Sequence, residues 1–156
     1  MRVEEVRGDL LAKDVDVLLN PWNRNFVPRW LLRPGGVSGQ LKRRTGPSPW
    51  RQLARTGMLP LGAAVLTDGG RLPISLIHVA GIKAFWKASS DSVTMSCQNA
   101  VQLAWTAGFQ TMALPLIGSG HGSLSLDESL QALRQALRPL NSDSGEAMTV
   151  RIVLRS

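Results

Sequence analysis

Residues 111–122 read T-M-A-L-P-L-I-G-S-G-H-G, an apolar run that opens into three glycines within five positions, Gly118, Gly120 and Gly122. The chain continues S-L-S-L-D-E-S-L, where Leu126, Leu130, Leu133 and Leu137 recur along one face of a 3.6-residue period. Ser125 and Glu128 form a capping box at the start of that helix, and Pro139 marks its end. The stretch therefore reads as strand, glycine turn and a helix over Ser125–Arg138. A plain tight turn needs one glycine or two. A third lets the backbone approach a ligand and take positive φ, so that successive N–H groups converge on an anion. The N-terminal dipole of the helix adds to this if its first turn points the same way. A phosphate-binding turn is the expectation, with ordinary loop geometry as its alternative.

Arg33–Leu41, R-P-G-G-V-S-G-Q-L, repeats the design: the pair Gly35 and Gly36, then Val37, then a short helix over Ser38–Arg44. Alone it is weak, because Pro-Gly-Gly serves many loops. Both turns, however, follow strands. Strands are expected over Val3–Val6, Val15–Leu19, Ala63–Thr67, Ser75–Ala80, Thr111–Leu116 and Thr149–Leu154. Several are almost continuously apolar, as in strands covered on both faces. A second long helix spans Asp91–Ala107, with Val93, Cys97, Ala100, Val101 and Ala104 as its apolar stripe and Gly108 as its stop. Alternating elements of this kind give a three-layer α/β/α sandwich on a mixed central sheet. Ligands of such folds bind beyond the carboxyl ends of the strands. The two turns are thus expected to face each other across one site.

At 156 residues, with 44% apolar and 19% charged side chains, the chain is read as one globular domain, residues 1–156. No apolar run approaches the roughly 20 residues of a membrane helix. The N-terminal M-R-V-E-E-V-R-G-D-L carries acids and no apolar signal segment. The single Cys97 excludes an internal disulfide framework, and zinc-type Cys/His spacing is absent. A soluble, cytoplasmic, monomeric domain without metal or cofactor is expected. The net charge of +7 is concentrated in Arg24–Arg55, which includes Lys42, Arg43 and Arg44. Such a field attracts anionic partners, or it is a solvated helix face. Contact with nucleic acid through this segment stays open, although no zinc finger or RNA-recognition signature supports it.

Single residues add detail. Asp9, in G-D-L-L after the first strand, is a turn or cap residue or an acceptor for a base amino group. Asn20 satisfies backbone groups at a strand end, while Asn23, further out, has reach toward a sugar hydroxyl. His78, inside L-I-H-V-A, reads as a satisfied structural histidine rather than a base, and Cys97 as core. His121, within the glycine turn, is the better site candidate. The sequence holds no Ser-His-Asp order with a supporting elbow and no obvious carboxylate pair.

Taken in order, G-D-L-L, V-D-V-L-L-N-P-W-N, G-G-V-S-G, I-H-V-A-G and P-L-I-G-S-G-H-G resemble the macrodomain family over nearly the whole chain, from Arg2 to about Arg138. The resemblance implies a mixed sheet between helices that binds ADP-ribose, free or attached to a protein or nucleic acid. It implies that Asp9, with Leu10 beside it, accepts a hydrogen bond from the adenine amino group. By the same match, Asn23 contacts the distal ribose. Gly35, Gly36 and Val37 correspond to the first phosphate loop, and Ile117, Gly118, Ser119, Gly120, His121 and Gly122 to the second. Ser38 stands where the hydrolytic branch often carries an aspartate, and His121 is the nearest substitute for an aromatic residue that commonly packs on the distal ribose. Pro21-Trp22 and the longer loop after them leave Trp22, Phe26 and Trp30 as pocket lining, lid or packing anchors. The implied use is hydrolysis of an ADP-ribosyl linkage, with Asn23, Ser38 and His121 as catalytic candidates. Its alternatives are a reader that binds ADP-ribose without turnover, and a nucleic-acid-binding protein using Arg24–Arg55.

Overall fold

A computed structural model describes residues 1–23, 35–82, 87–120, 123–141 and 148–155. Six strands form one sheet: β1 (Arg2–Arg7), β2 (Val17–Trp22), β3 (Ala64–Asp68), β4 (Ser75–Ala80), β5 (Thr111–Pro115) and β6 (Thr149–Leu154). Their order is β1-β6-β5-β2-β4-β3, parallel throughout except that β3 runs antiparallel to β4. The helices are α1 (Gly36–Thr45), α2 (Ser48–Arg55), α3 (Ser90–Thr106) and α4 (Leu126–Leu137). Among the described residues no helix is long and apolar enough to cross a membrane.

The period-2 alternation of β2 divides the core. Val17 and Leu19 face α3 and α4, in one cluster with Ile77, Val79, Met112, Leu114, Val150 and Ile152. Leu18 and Trp22 face α1 and α2, together with Leu76, Ala80, Leu41, Trp50 and Leu53. Helices thus cover both faces of the sheet, as the buried apolar strands require. The stripe Val93, Cys97, Ala100, Val101 and Ala104 is buried along α3, and Gly108 ends the helix at φ 81°. In α4 the inward face differs from the leucine pattern. Ser129, Ala132, Leu133, Ala136 and Leu137 are buried, whereas Leu126 is 63% exposed. The small side chains turn inward and join the core cluster that α3 lines, and Thr94 Oγ1 of α3 donates to Ala132 O of α4 at 3.4 Å.

Helix α2 has no counterpart in the sequence reading. Pro47 and Pro49 resemble loop punctuation, yet proline suits the first turn of a helix, where its missing N–H is not needed. Strand β2 also runs three residues further than expected, to Trp22. Its ladder to β5 ends at Leu18↔Ala113, while its ladder to β4 continues to Trp22↔Ala80. Beyond Leu18 the strand is an edge on its β5 side, a setting that tolerates Pro21. There β2 and β5 part. β5 stays paired with β6 to Pro115↔Val153.

Candidate functional site

β2 and β5 part toward their carboxyl ends, where the chain leaves β2 for α1 on one face and leaves β5 for α4 on the other. This reversal is the topological switch point at which open α/β sheets bind ligands. Both glycine turns are rooted there.

After β5, Ile117 is fully buried and fastens the turn to the core. Gly118 takes φ 80°, and a Cβ on it would stand 2.6 Å from Ala88 Cβ, so only glycine fits. Three successive carbonyls are engaged by the protein. Leu116 O accepts from Ser119 Oγ at 3.0 Å, Ile117 O from Ser129 Oγ at 2.7 Å, and Gly118 O from Leu124 N at 3.3 Å. In a trans peptide the N–H opposes the carbonyl of the same plane, and no described peptide is cis. The amides of Ile117, Gly118 and Ser119 therefore point away from those partners. Gly120 is exposed, with open space at its Cβ position. His121 and Gly122 lie outside the described residues.

After β2, α1 begins at Gly36 with φ 56°, and its N-cap, Gly35, supplies no side-chain hydrogen bond. Gly39 N makes the first helical bond, to Gly35 O at 3.2 Å, so the amides ahead of it have no partner within the helix. The first turn of α1 carries no acid, and its last turn carries Lys42, Arg43 and Arg44. The N-terminus of α4 is already served: Ser125 Oγ accepts from Glu128 N at 3.2 Å, Glu128 Oε2 accepts from Ser125 N at 2.7 Å, and Asp127 and Glu128 add negative charge. The helix dipole open to an anion thus belongs to α1, not to α4.

A buried chain of hydrogen bonds fixes α1 to the sheet. Ser38 Oγ donates to Asn20 Oδ1 at 2.7 Å and lies 3.1 Å from Pro21 O. Asn20 Nδ2 is then the donor to His78 Nδ1 at 3.0 Å. His78 Nε2–H in turn donates to Thr67 Oγ1 at 2.9 Å, and Thr67 Oγ1 donates to Asp68 O at 3.0 Å. Every member is satisfied, as a buried polar network requires. Burial pulls the His78 pKa down to about 3, so the ring is neutral. His78 is structural, as its sequence context suggested. The Ser38 proton is committed to Asn20 and Pro21, which leaves Ser38 a brace for the first turn of α1.

The remaining candidates divide. Asp9 caps the Leu10–Ala12 turn, with Oδ1 accepting from Leu11 N at 2.9 Å, and its side chain is exposed. Leu10 is buried in the core cluster beneath α1 and α2. Val37 is half-buried against the same cluster. Asn23 is buried immediately past the end of β2. Trp22 is a packing anchor: its ring centroid lies 5.3 Å from that of Trp50, which contacts His78 edge-on at 5.3 Å. Phe26 and Trp30 lie outside the described residues. Cys97 is core, its thiol pushed up to about 12 by burial. Among the described residues no three His, Cys, Asp or Glu side chains gather to hold a metal ion.

At the amino ends of the strands, Asp16, Asp68, Gly69, Pro73 and Phe109 border an open hollow of about 440 Å³. Its carboxylates are already occupied: Asp16 accepts from Gln110 N and Thr111 N, and Asp68 from Ser48, Gln52 and Gly70 N.

The family model of the Macro domain matches residues 19–133. Over 161 residues the chain is 33% identical to a macro domain-containing protein of Streptomyces griseus, an alignment covering 97% of this chain and 86% of that protein. It is 32% identical over 126 residues to a Klebsiella pneumoniae protein named O-acetyl-ADP-ribose deacetylase, covering 75% of this chain and 68% of the other. Among solved structures, a mutant macrodomain of Oceanobacillus iheyensis with ADPR superposes with a TM-score of 0.81 at 22% identity, over 97% of this chain and 84% of that one. At that identity the likeness speaks for the fold.

Proposed function

Because the chain belongs to the Macro domain family, we propose that the crevice between the carboxyl ends of β2 and β5 binds ADP-ribose. The pyrophosphate is held by main-chain amides of the α1 N-terminus and of the Ile117–Gly120 turn. The observation that supports this most is the locking of the Leu116, Ile117 and Gly118 carbonyls onto protein donors, which presents the opposed amides as a fixed row of donors. Such preorganised donors suit an anion. In this reading the exposed Asp9 carboxylate accepts from the adenine amino group, and Asn23 meets the distal ribose. His121 and Gly122 complete the second loop.

Hydrolysis of an ADP-ribosyl linkage is the use we propose for the bound ligand, and the relative named O-acetyl-ADP-ribose deacetylase favours it. No acid occurs between Asp16 and Asp68 or from Thr111 to Leu126. Neither loop therefore offers a carboxylate base, and the Ser38 hydroxyl is already engaged. Turnover then leans on Asn23, His121 and the phosphates of the ligand to hold the water, and we predict it to be slow.

Calorimetry with ADP-ribose tests binding: saturable uptake is expected, lost in Gly120→Glu and weakened in Asp9→Ala. Equal binding by both variants overturns the site. Release of free ADP-ribose from O-acetyl-ADP-ribose or a mono-ADP-ribosylated protein tests hydrolysis. Rates no higher than those of Asn23→Ala would leave a reader without turnover.

A further inference from the structure

The net positive charge of this protein lies in one segment. Between Asp16 and Asp68 the chain contains eight of its 18 cations and none of its 11 acids, so the remainder is about neutral and this segment carries the whole excess of +7. Arg24, Arg29 and Arg33 lie outside the described residues. The other five, Lys42, Arg43 and Arg44 on the last turn of α1 and Arg51 and Arg55 on α2, are all exposed.

Elsewhere three cations are ion-paired. Arg2 and Arg151 pair with Glu4, and Arg134 with Glu5, on β1, β6 and α4. None of the five on α1 and α2 has such a partner among the described residues. One carboxylate borders them, Asp68, whose oxygens are taken by Ser48, Gln52 and the Gly70 amide. Arg71 adds a sixth cation, its guanidinium lying over Gly46 between the two helices.

Arg51 and Arg55, four residues apart on α2, repel one another at a cost of tenths of a kcal/mol. A polyanion removes that repulsion. The aromatic residue of these helices, Trp50, is buried and donates Nε1–H to Thr45 Oγ1 at 3.1 Å, so the face offers no base-stacking platform. Its contacts are suited to phosphates rather than to bases. Arg51 and Arg55 sit one helical turn apart, and α1 leads from this patch back to the crevice over about 15 Å.

We infer that the α1–α2 face is a docking surface for the phosphate backbone of a nucleic-acid duplex. The inference concerns unmodified duplex and stands apart from the ADP-ribose reading, since neither glycine turn takes part.

The test is fluorescence anisotropy with a labelled 20-base-pair DNA duplex across a salt series. Each neutralised phosphate contributes about −0.9 to the slope of log K against log salt, so five contacts give a slope near −4 to −5. The variant Lys42→Ala, Arg43→Ala, Arg44→Ala is expected to reduce that slope by about 2 to 3 units. The variant Arg7→Ala, Arg138→Ala, Arg155→Ala, with the same loss of charge away from α1 and α2, is expected to keep it. All of these side chains are exposed, and thermal melts of both variants verify folding. Equal slopes in the two variants overturn the assignment, because binding would then follow net charge alone. Competition by a polyglutamate peptide at equal charge concentration also overturns it, since the face would then accept any acidic chain.

Discussion

At the scale of single residues the decisive group is Ser38. Read in the sequence, it is an alcohol where the family resemblance implies an aspartate in the hydrolytic branch. In the structure it is the first link of a chain through Asn20, His78 and Thr67 that braces α1 against β2, β4 and β3. Replacing Asn20 by Ala strips a donor and an acceptor from this network, leaves Ser38 Oγ with Pro21 O alone, and leaves His78 Nδ1 buried without a partner. At about 1–3 kcal/mol for an orphaned group, urea unfolding should report a loss of roughly 2 kcal/mol. The same network argues against restoring a carboxylate. Ser38→Asp would set an anion against Asn20 Oδ1 and Pro21 O, so lower stability without faster release of ADP-ribose is the expected outcome. A faster and equally stable variant would contradict the bracing role. The identity of Ser38 was legible in the sequence, but its contacts were not. They join residues far apart in the chain, and periodicity carries no information about what meets across a sheet.

At the scale of elements, two glycines in one turn separate folding from binding. Gly118 has both positive φ and no room for a Cβ. Gly118→Ala should therefore cost about 2–4 kcal/mol in chemical unfolding, from backbone strain and overpacking together. Gly120 has open space and no left-handed backbone. Gly120→Glu is expected to unfold within about 0.5 kcal/mol of the parent, while calorimetry shows ADP-ribose binding lost. A Gly120→Glu protein that is unstable, or that still binds, would refute this division. The capping boxes and the end of α3 were readable because they are local, decided by residues three or four apart. Which helix N-terminus stays open to an anion was not. The Ser125–Glu128 box that announced α4 is also what satisfies that terminus, whereas the bare Gly35 start of α1 had looked like the weaker motif. Leu126 shows the same limit, since helix spacing places it in line but only packing against α3 decides which way the line faces.

At the scale of the whole molecule, acid stability follows from His78. Its ring is held neutral at a pKa of about 3 in the folded state and takes a proton near 6.5 when unfolded. Its contribution is complete above pH 6.5 and is lost as pH falls toward 3, at up to about 1.4 kcal/mol per pH unit. Glu5, held below the usual carboxylate range by the hydrogen bond from Arg134, adds its loss only at lower pH. Unfolding free energy should therefore decline between pH 6.5 and 5 with a slope near one proton, and His78→Gln should flatten that slope. A parent protein whose stability is level over that window would exclude a neutral buried His78. The sequence by itself determined the layered α/β/α class, five of the six strands to within about two residues, the two glycine turns and the confinement of charge to one stretch. These rest on local periodicity, turn chemistry and composition, all written along the chain. Tertiary structure alone decided that β2 leaves β5 after Leu18, that Trp22 packs inward, and that none of the described cations of α1 and α2 forms an ion pair among the described residues. Those outcomes depend on which strands adjoin and how far their ladders run, which emerges only when distant segments compete for the same partners.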